Sequence, residues 1–159
     1  MTLSIAITLA LRYLLVIPFL PFSALDKIIN FRGAVNQAKE RMANDSAATA
    51  LILAGLSVEI LMPLGILTGF VDRLAALIMA GYCMVTALLW KRFWAQGDFW
   101  RAGHSRGRDL FWDFLKNFSL AGGFLLITLG TTAGAVGGFL AHPLASSHPY
   151  ALGQGPTEP

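Results

Sequence analysis

The chain has 159 residues, of which 55% are hydrophobic types and 13% charged, about half the charged share of an ordinary soluble domain. It carries 12 Lys and Arg against 9 Asp and Glu, and a single cysteine, Cys83, so an intrachain disulfide, a CxxC redox pair and a thiolate zinc site are excluded. No GxGxxG, Walker loop, HExxH or GxSxG occurs, which sets aside dinucleotide, nucleoside-triphosphate and ordinary hydrolase chemistry.

Four apolar windows cover residues 3–25, 47–70, 74–90 and 118–140, and only Arg12 and Glu59 among the charged residues fall inside them. A helix crosses a hydrocarbon core of roughly 30 Å with about 20 apolar residues. The chain therefore reads as an all-α integral membrane four-helix bundle. The first window has no Lys or Arg ahead of it and holds Arg12 in its middle, and it exceeds the core of a signal peptide. It is expected to remain as a true span.

The segment after it carries Ile28, Phe31, Val35, Ala38 and Met42 at helical spacing, with Arg32, Asn36, Lys39, Glu40 and Arg41 on the other face. This predicts a short amphipathic helix in the first loop, lying in the membrane interface or docked on a partner protein. The second window holds Glu59, with Gly55 and Pro63 one turn to either side. Gly65 and Gly69 follow as a GxxxG, a spacing that lets helices approach closely.

All four tryptophans, Trp90, Trp94, Trp100 and Trp112, lie in or beside the third loop, together with Phe93, Phe99, Phe111 and Phe114. Amphipathic rings of this kind favour the headgroup region, so residues 91–116 read as an interfacial anchor or as an aromatic rim to a cleft. The fourth window contains Gly130, Gly134 and Gly138, a ladder for packing within the bundle or against another subunit. The tail, 141–159, is rich in Pro and Gly and reads as flexible.

Loops one and three hold Lys27, Arg32, Lys39, Arg41, Lys91, Arg92, Arg101, Arg106, Arg108 and Lys116, against Arg73 alone in the second turn. The positive-inside rule makes those loops cytoplasmic and both termini exterior or periplasmic. The same placement explains the basic excess without nucleic acid.

Mid-span ionisable groups cost about 2.5–3.5 kcal/mol or more on insertion scales. Arg12 and Glu59 lie near the centres of consecutive antiparallel windows, which predicts an intramembrane Arg12–Glu59 ion pair. It is either a structural lock or the lining of a polar pocket for a quinone carbonyl or a proton step, and these two residues are the catalytic candidates. Asp26, Lys27, Lys116 and Asn117 are expected to form an interfacial polar cluster at the cytoplasmic ends of the spans. No histidine falls in a window, which argues against an axially ligated haem. His142 and His148 in the tail match no metal motif, so no metal site is expected.

The ordered combination of Leu11-Arg12-Tyr13, Phe22-Ser23-Ala24-Leu25-Asp26-Lys27, Glu59, Gly65, Asp72-Arg73-Leu74-Ala75-Ala76 and Phe114-Leu115-Lys116-Asn117-Phe118-Ser119-Leu120-Ala121-Gly122-Gly123 resembles the DoxX-like family of small four-span bacterial membrane proteins, over roughly residues 8–130. The resemblance implies a bundle in the bacterial cytoplasmic (inner) membrane, with Arg12, Lys27, Glu59, Lys116 and Asn117 at the recurring polar positions. It also implies association with membrane redox complexes, as for the thiosulfate:quinone oxidoreductase subunit that gives the family its name. The third loop, long, basic and Trp-rich, departs from that pattern.

The expected function is an accessory, non-catalytic subunit of a respiratory or quinone-linked oxidoreductase complex. Its partners are the lipid bilayer and other complex subunits or further copies of itself, with a quinone or lipid as candidate ligand. Two alternatives stand beside it: a quinone-reactive enzyme subunit using Arg12 and Glu59, and a small-solute transporter or channel.

Overall fold

The computed structural model describes residues 2–42 and 44–152, and these contain helices and connecting turns with no strand. Four helical segments are long and apolar enough to cross a membrane: Leu3–Ile29, Asp45–Thr68, Asp72–Ala95 and Arg106–Leu129. The protein is a multi-pass membrane protein.

The first span is built from α1 (Leu3–Val16), a wide helical stretch over Pro18–Ser23, and α2 (Ala24–Ile29). The interruption has a local cause. Pro21 supplies no backbone N–H, and a residue preceding proline is driven out of helical geometry. Leu20 accordingly takes extended angles, φ −120° and ψ 112°. The bend tips α2 away from the axis of α1.

The expected amphipathic helix is α3 (Phe31–Lys39), and it ends at the lysine that pairs with Asp45. Its apolar face has a partner within the chain: Val35 and Ala38 are buried against Ala48 and Ile52, with Phe31, Ala34, Met42 and Leu51 around them. Ile28 does not belong to that face. It lies in α2, across the break at Asn30, and stays exposed.

The second span, α4 (Asp45–Thr68), starts at Asn44, whose side chain accepts from the Ser46 N–H, and carries Asp45 in its first turn. Both choices suit the free donors and positive end of a helix N-terminus. It ends at Gly69, left-handed at φ 77°, and Val71 also takes a positive φ of 51°. That angle is uncommon for a β-branched residue, and the three-residue turn requires it. Gly69 is thus a helix terminator rather than a packing position. Gly65 does pack closely: a methyl there would stand 3.2 Å from the Ala75 side chain.

The third span opens with α5 (Asp72–Trp90), which runs through the centre of the bundle. Ala76, Ala80, Cys83 and Ala87, all fully buried, form a stripe of small side chains at spacings of three and four. Such a stripe lets neighbouring backbones come close. Met79, Ile66, Val16, Phe19 and Phe124 fill the remaining core.

The fourth span is α6 (Arg106–Leu129), about eleven residues earlier in the chain than the apolar window 118–140. Gly130 stops it with φ 77° and ψ −175°, and a separate short helix, α7 (Ala133–Ala141), follows. The expected ladder therefore does not pack within the bundle of spans. Gly130 is a cap, and nothing lies within 4 Å of a methyl placed at Gly134 or Gly138. The close approach occurs instead at Gly123, where a methyl would stand 3.0 Å from Leu15 of α1.

The loop before α6 is correspondingly short, residues 91–105, and it is tied to the helix start. Ser105 accepts from the Arg108 N–H, and the Asp98 carboxylate accepts from the N–H groups of Arg106 and Gly107. Desolvation pushes the Asp98 carboxyl up, but those backbone donors outweigh it and hold the group below the usual carboxylate range. Phe93 is the hub of the aromatic cluster, in edge or tilted contact with Trp94, Phe99, Phe111 and Phe114. Ser105→Ala removes a buried cap and is expected to lower stability by about 1 kcal/mol, seen as a fall of roughly 2–4 °C in the thermal midpoint in detergent.

Candidate functional site

Arg12 and Glu59 do not pair. Arg12 Nη1 lies 2.7 Å from Asp72 Oδ2 and also donates to the Ile66 carbonyl at 2.7 Å. Ile66 is two turns beyond Glu59 along α4, roughly 10 Å at 1.5 Å per residue. The expectation failed because it equated window centres with equal depth, while the start of α1 projects past the α4–α5 turn. Asp72, which opens α5 and is fully buried, is among the residues that carry the resemblance, but it lies just outside the third window and so was not weighed as a partner.

The Arg12–Asp72 pair holds the tail. Ser147 donates its backbone N–H to Asp72 Oδ1 at 2.8 Å, and its hydroxyl donates to Asp72 Oδ2 while accepting from Arg12 Nη2. Ser146 donates to the Gly69 carbonyl, Tyr150 donates to the Leu67 carbonyl, and Pro149 packs on Gly69. Residues 146–150, expected to be flexible, therefore fold back over the α4–α5 turn. Residues 153–159 of that tail, with Pro156 and Pro159, lie outside the described residues.

Glu59 has a different set of partners. Lys27 Nζ stands 2.8 Å from Oε1 and 2.9 Å from Oε2, and the hydroxyls of Ser23 and Tyr82 donate to Oε1 at 2.9 and 2.7 Å. Lys27 also donates to Ser23 Oγ at 2.7 Å. The carboxylate is 2% exposed and the ammonium 20%. The bend at Pro18–Pro21 brings Ser23 and Lys27, one turn apart at the start of α2, to face α4. Pro63 supplies no N–H, so the Glu59 carbonyl lacks its helical donor.

This cluster closes one end of a cavity of about 620 Å³ between α2, α3, α4 and α5. Phe19, Val58, Val85 and Leu89 give it apolar walls, and α3 covers it with Ala34 and Ala38. Asn30 and Lys91, at the ends of α2 and α5, also line it, as do Asp26 in the first turn of α2 and Asn117 in the middle of α6. Tyr82 and Lys91 are separated by about 13 Å along α5, at 1.5 Å per residue. The size falls within the range of small-molecule sites, which are mostly apolar with a few convergent polar groups.

The expected interfacial cluster is thus divided. Lys27 belongs to the Glu59 network, and Asp26 and Asn117 line the cavity. Lys116 turns outward to Asp113, which also receives Lys91 at 3.0 Å. Tyr82 was not anticipated at all; its signal was a phenol inside an otherwise apolar third run. His104 lies beside Asp109 at the exposed start of α6, and His142 ends α7.

No curated protein and no solved structure matches the chain. The DoxX family model matches residues 7–92, a stretch that holds both buried ion pairs and most of the first three spans but not Ser147, Lys116 or Asn117. The match covers more than half of the sequence, and the chain belongs to the DoxX family.

Proposed function

We propose that the protein is an accessory membrane subunit that binds a small amphiphile of the quinone class in the Lys27–Glu59 cavity and works beside a quinone-linked oxidoreductase in a bacterial cytoplasmic membrane. The observation that carries this reading is the cavity itself: apolar walls ending on a buried, hydrogen-bonded charge pair. A purely structural ion pair needs no space beside it, and this one has about 620 Å³. Membership of the DoxX family supports the redox setting that the resemblance implies. The Lys and Arg excess around Lys27 and Lys91 supports a cytoplasmic position for that end of the bundle. Arg12 is held by Asp72 and Ser147 at the other end of the bundle, so the acid–base candidates reduce to Glu59 with Lys27 and Tyr82.

Gentle extraction from the native membrane followed by intact-assembly mass spectrometry tests the reading. The expected result is a stoichiometric redox partner and a bound lipophile of quinone mass. Gly55 lines the cavity, and a methyl there would already stand 3.4 Å from the Tyr82 hydroxyl. Gly55→Leu is therefore expected to fill the site, and to reduce the bound lipophile at least tenfold while the partner is retained. A chain that extracts alone, with nothing in the cavity, overturns the proposal.

A further inference from the structure

The donors at the closed end of the cavity are already committed. An ammonium has three N–H groups and no lone pair, and Lys27 directs its three to Ser23 Oγ, Glu59 Oε1 and Glu59 Oε2. The hydroxyl hydrogens of Ser23 and Tyr82 both go to Glu59 Oε1. Thr86, one turn further along α5, donates to the backbone carbonyls of Tyr82 and Cys83. What remains open is acceptor capacity. A carboxylate offers about four lone-pair sites. Oε1 receives three donors and Oε2 only one. The Tyr82 and Thr86 oxygens also keep lone pairs. Away from that end, the cavity-lining amides of the exposed Asn30 and Gln37 and the Trp90 indole have no hydrogen bond among the described residues, Asn117 gives one N–H to the Asp113 carbonyl, and Lys91 bonds Asp113.

We infer that the closed end takes its ligand as a hydrogen-bond donor, an apolar molecule ending in a phenolic hydroxyl, so that within a quinone couple the cavity holds the hydroquinone in preference to the quinone. This rests on the reading of the cavity as a quinone-class site. A quinone carbonyl only accepts. To seat one, Lys27, Ser23 or Tyr82 would have to withdraw from a buried carboxylate, and leaving such a group short of donors is more costly than the single bond gained. A hydroquinone O–H would use the spare acceptor capacity of Oε2 with no such exchange, in a bond strengthened by the negative charge.

The test is calorimetric titration of the purified full chain in lipid nanodiscs under anaerobic conditions, against empty nanodiscs. Three probes share one decyl chain: a benzohydroquinone, its dimethyl ether and the matching benzoquinone. The expected result is that the hydroquinone binds at least tenfold more tightly than either of the others. The ether separates hydroxyl donation from ring shape. A quinone that binds as tightly as the hydroquinone, or more tightly, overturns the inference while leaving the cavity a quinone-class site. Three probes that all fail to bind above the empty-nanodisc background overturn both.

Discussion

Lys27→Met is expected to destabilise the bundle by about 3–5 kcal/mol, the range for removing one member of a buried ion pair. The loss from Glu59→Leu should be smaller. The asymmetry follows from exposure. Glu59 is 2% exposed and Lys27 20%, so the stranded carboxylate has no route to water while the stranded ammonium can extend towards the interface. The double variant, which removes both charges, should recover most of the loss, since apolar replacement of a whole buried pair is often neutral or stabilising. A double-mutant cycle by thermal unfolding in detergent reads these values. The same cycle run on Arg12 and Glu59 should give additivity within about 0.5 kcal/mol, as for sites with no shared partner. Strong coupling between Arg12 and Glu59 would contradict the pairing described above.

Asp72→Ala should have an effect of similar size, about 3–5 kcal/mol, with a distinct signature. Asp72 is fully buried, and Arg12, at 10% exposure, has no other carboxylate partner among the described residues. Removing it strands the guanidinium and also deletes the acceptors of the Ser147 N–H and hydroxyl. The tail segment 146–150 should then be cut by protease at low concentrations that leave the wild-type tail intact. Ser147→Ala keeps the charge pair and should cost only about 1 kcal/mol, while still loosening the tail. Equal protease resistance in wild type and Asp72→Ala would show that the tail is held by something other than this carboxylate.

Three of the four spans were legible because their apolar runs, 3–25, 47–70 and 74–90, are continuous and lie along the helical segments Leu3–Ile29, Asp45–Thr68 and Asp72–Ala95. The fourth was displaced because hydropathy and helical continuity part company there. Residues 130–138 are apolar by composition, yet Gly130 breaks the helix. Residues 106–117 are charged and aromatic, yet they form the first three turns of α6. The ionisable residues inside the windows were visible, but their partners were not. Lys27 and Asp72 sit at span edges, where a charge looks ordinary, and although Pro18 and Pro21 mark a kink or end of the first helix, the direction in which the bend turns Lys27 towards Glu59 is not written in the sequence. Ser147 was invisible for another reason: its role depends on a tail folding back across 75 residues of sequence to reach Asp72.

The sequence separation of the two charge pairs has a consequence for how the protein is made. Lys27 and Glu59 are 32 residues apart, and Arg12 and Asp72 are 60 apart. At a synthesis rate of about 5–20 residues per second, Arg12 is made roughly 3–12 seconds before its carboxylate exists. During that interval the first span carries an uncompensated guanidinium that disfavours the bilayer by at least about 2.5–3.5 kcal/mol. The Lys27–Glu59 contact can close earlier and secures the other end of the same span to α4. Full compensation of the charge in the first span therefore waits for the hairpin of α4 and α5, and depends on a residue encoded two spans downstream.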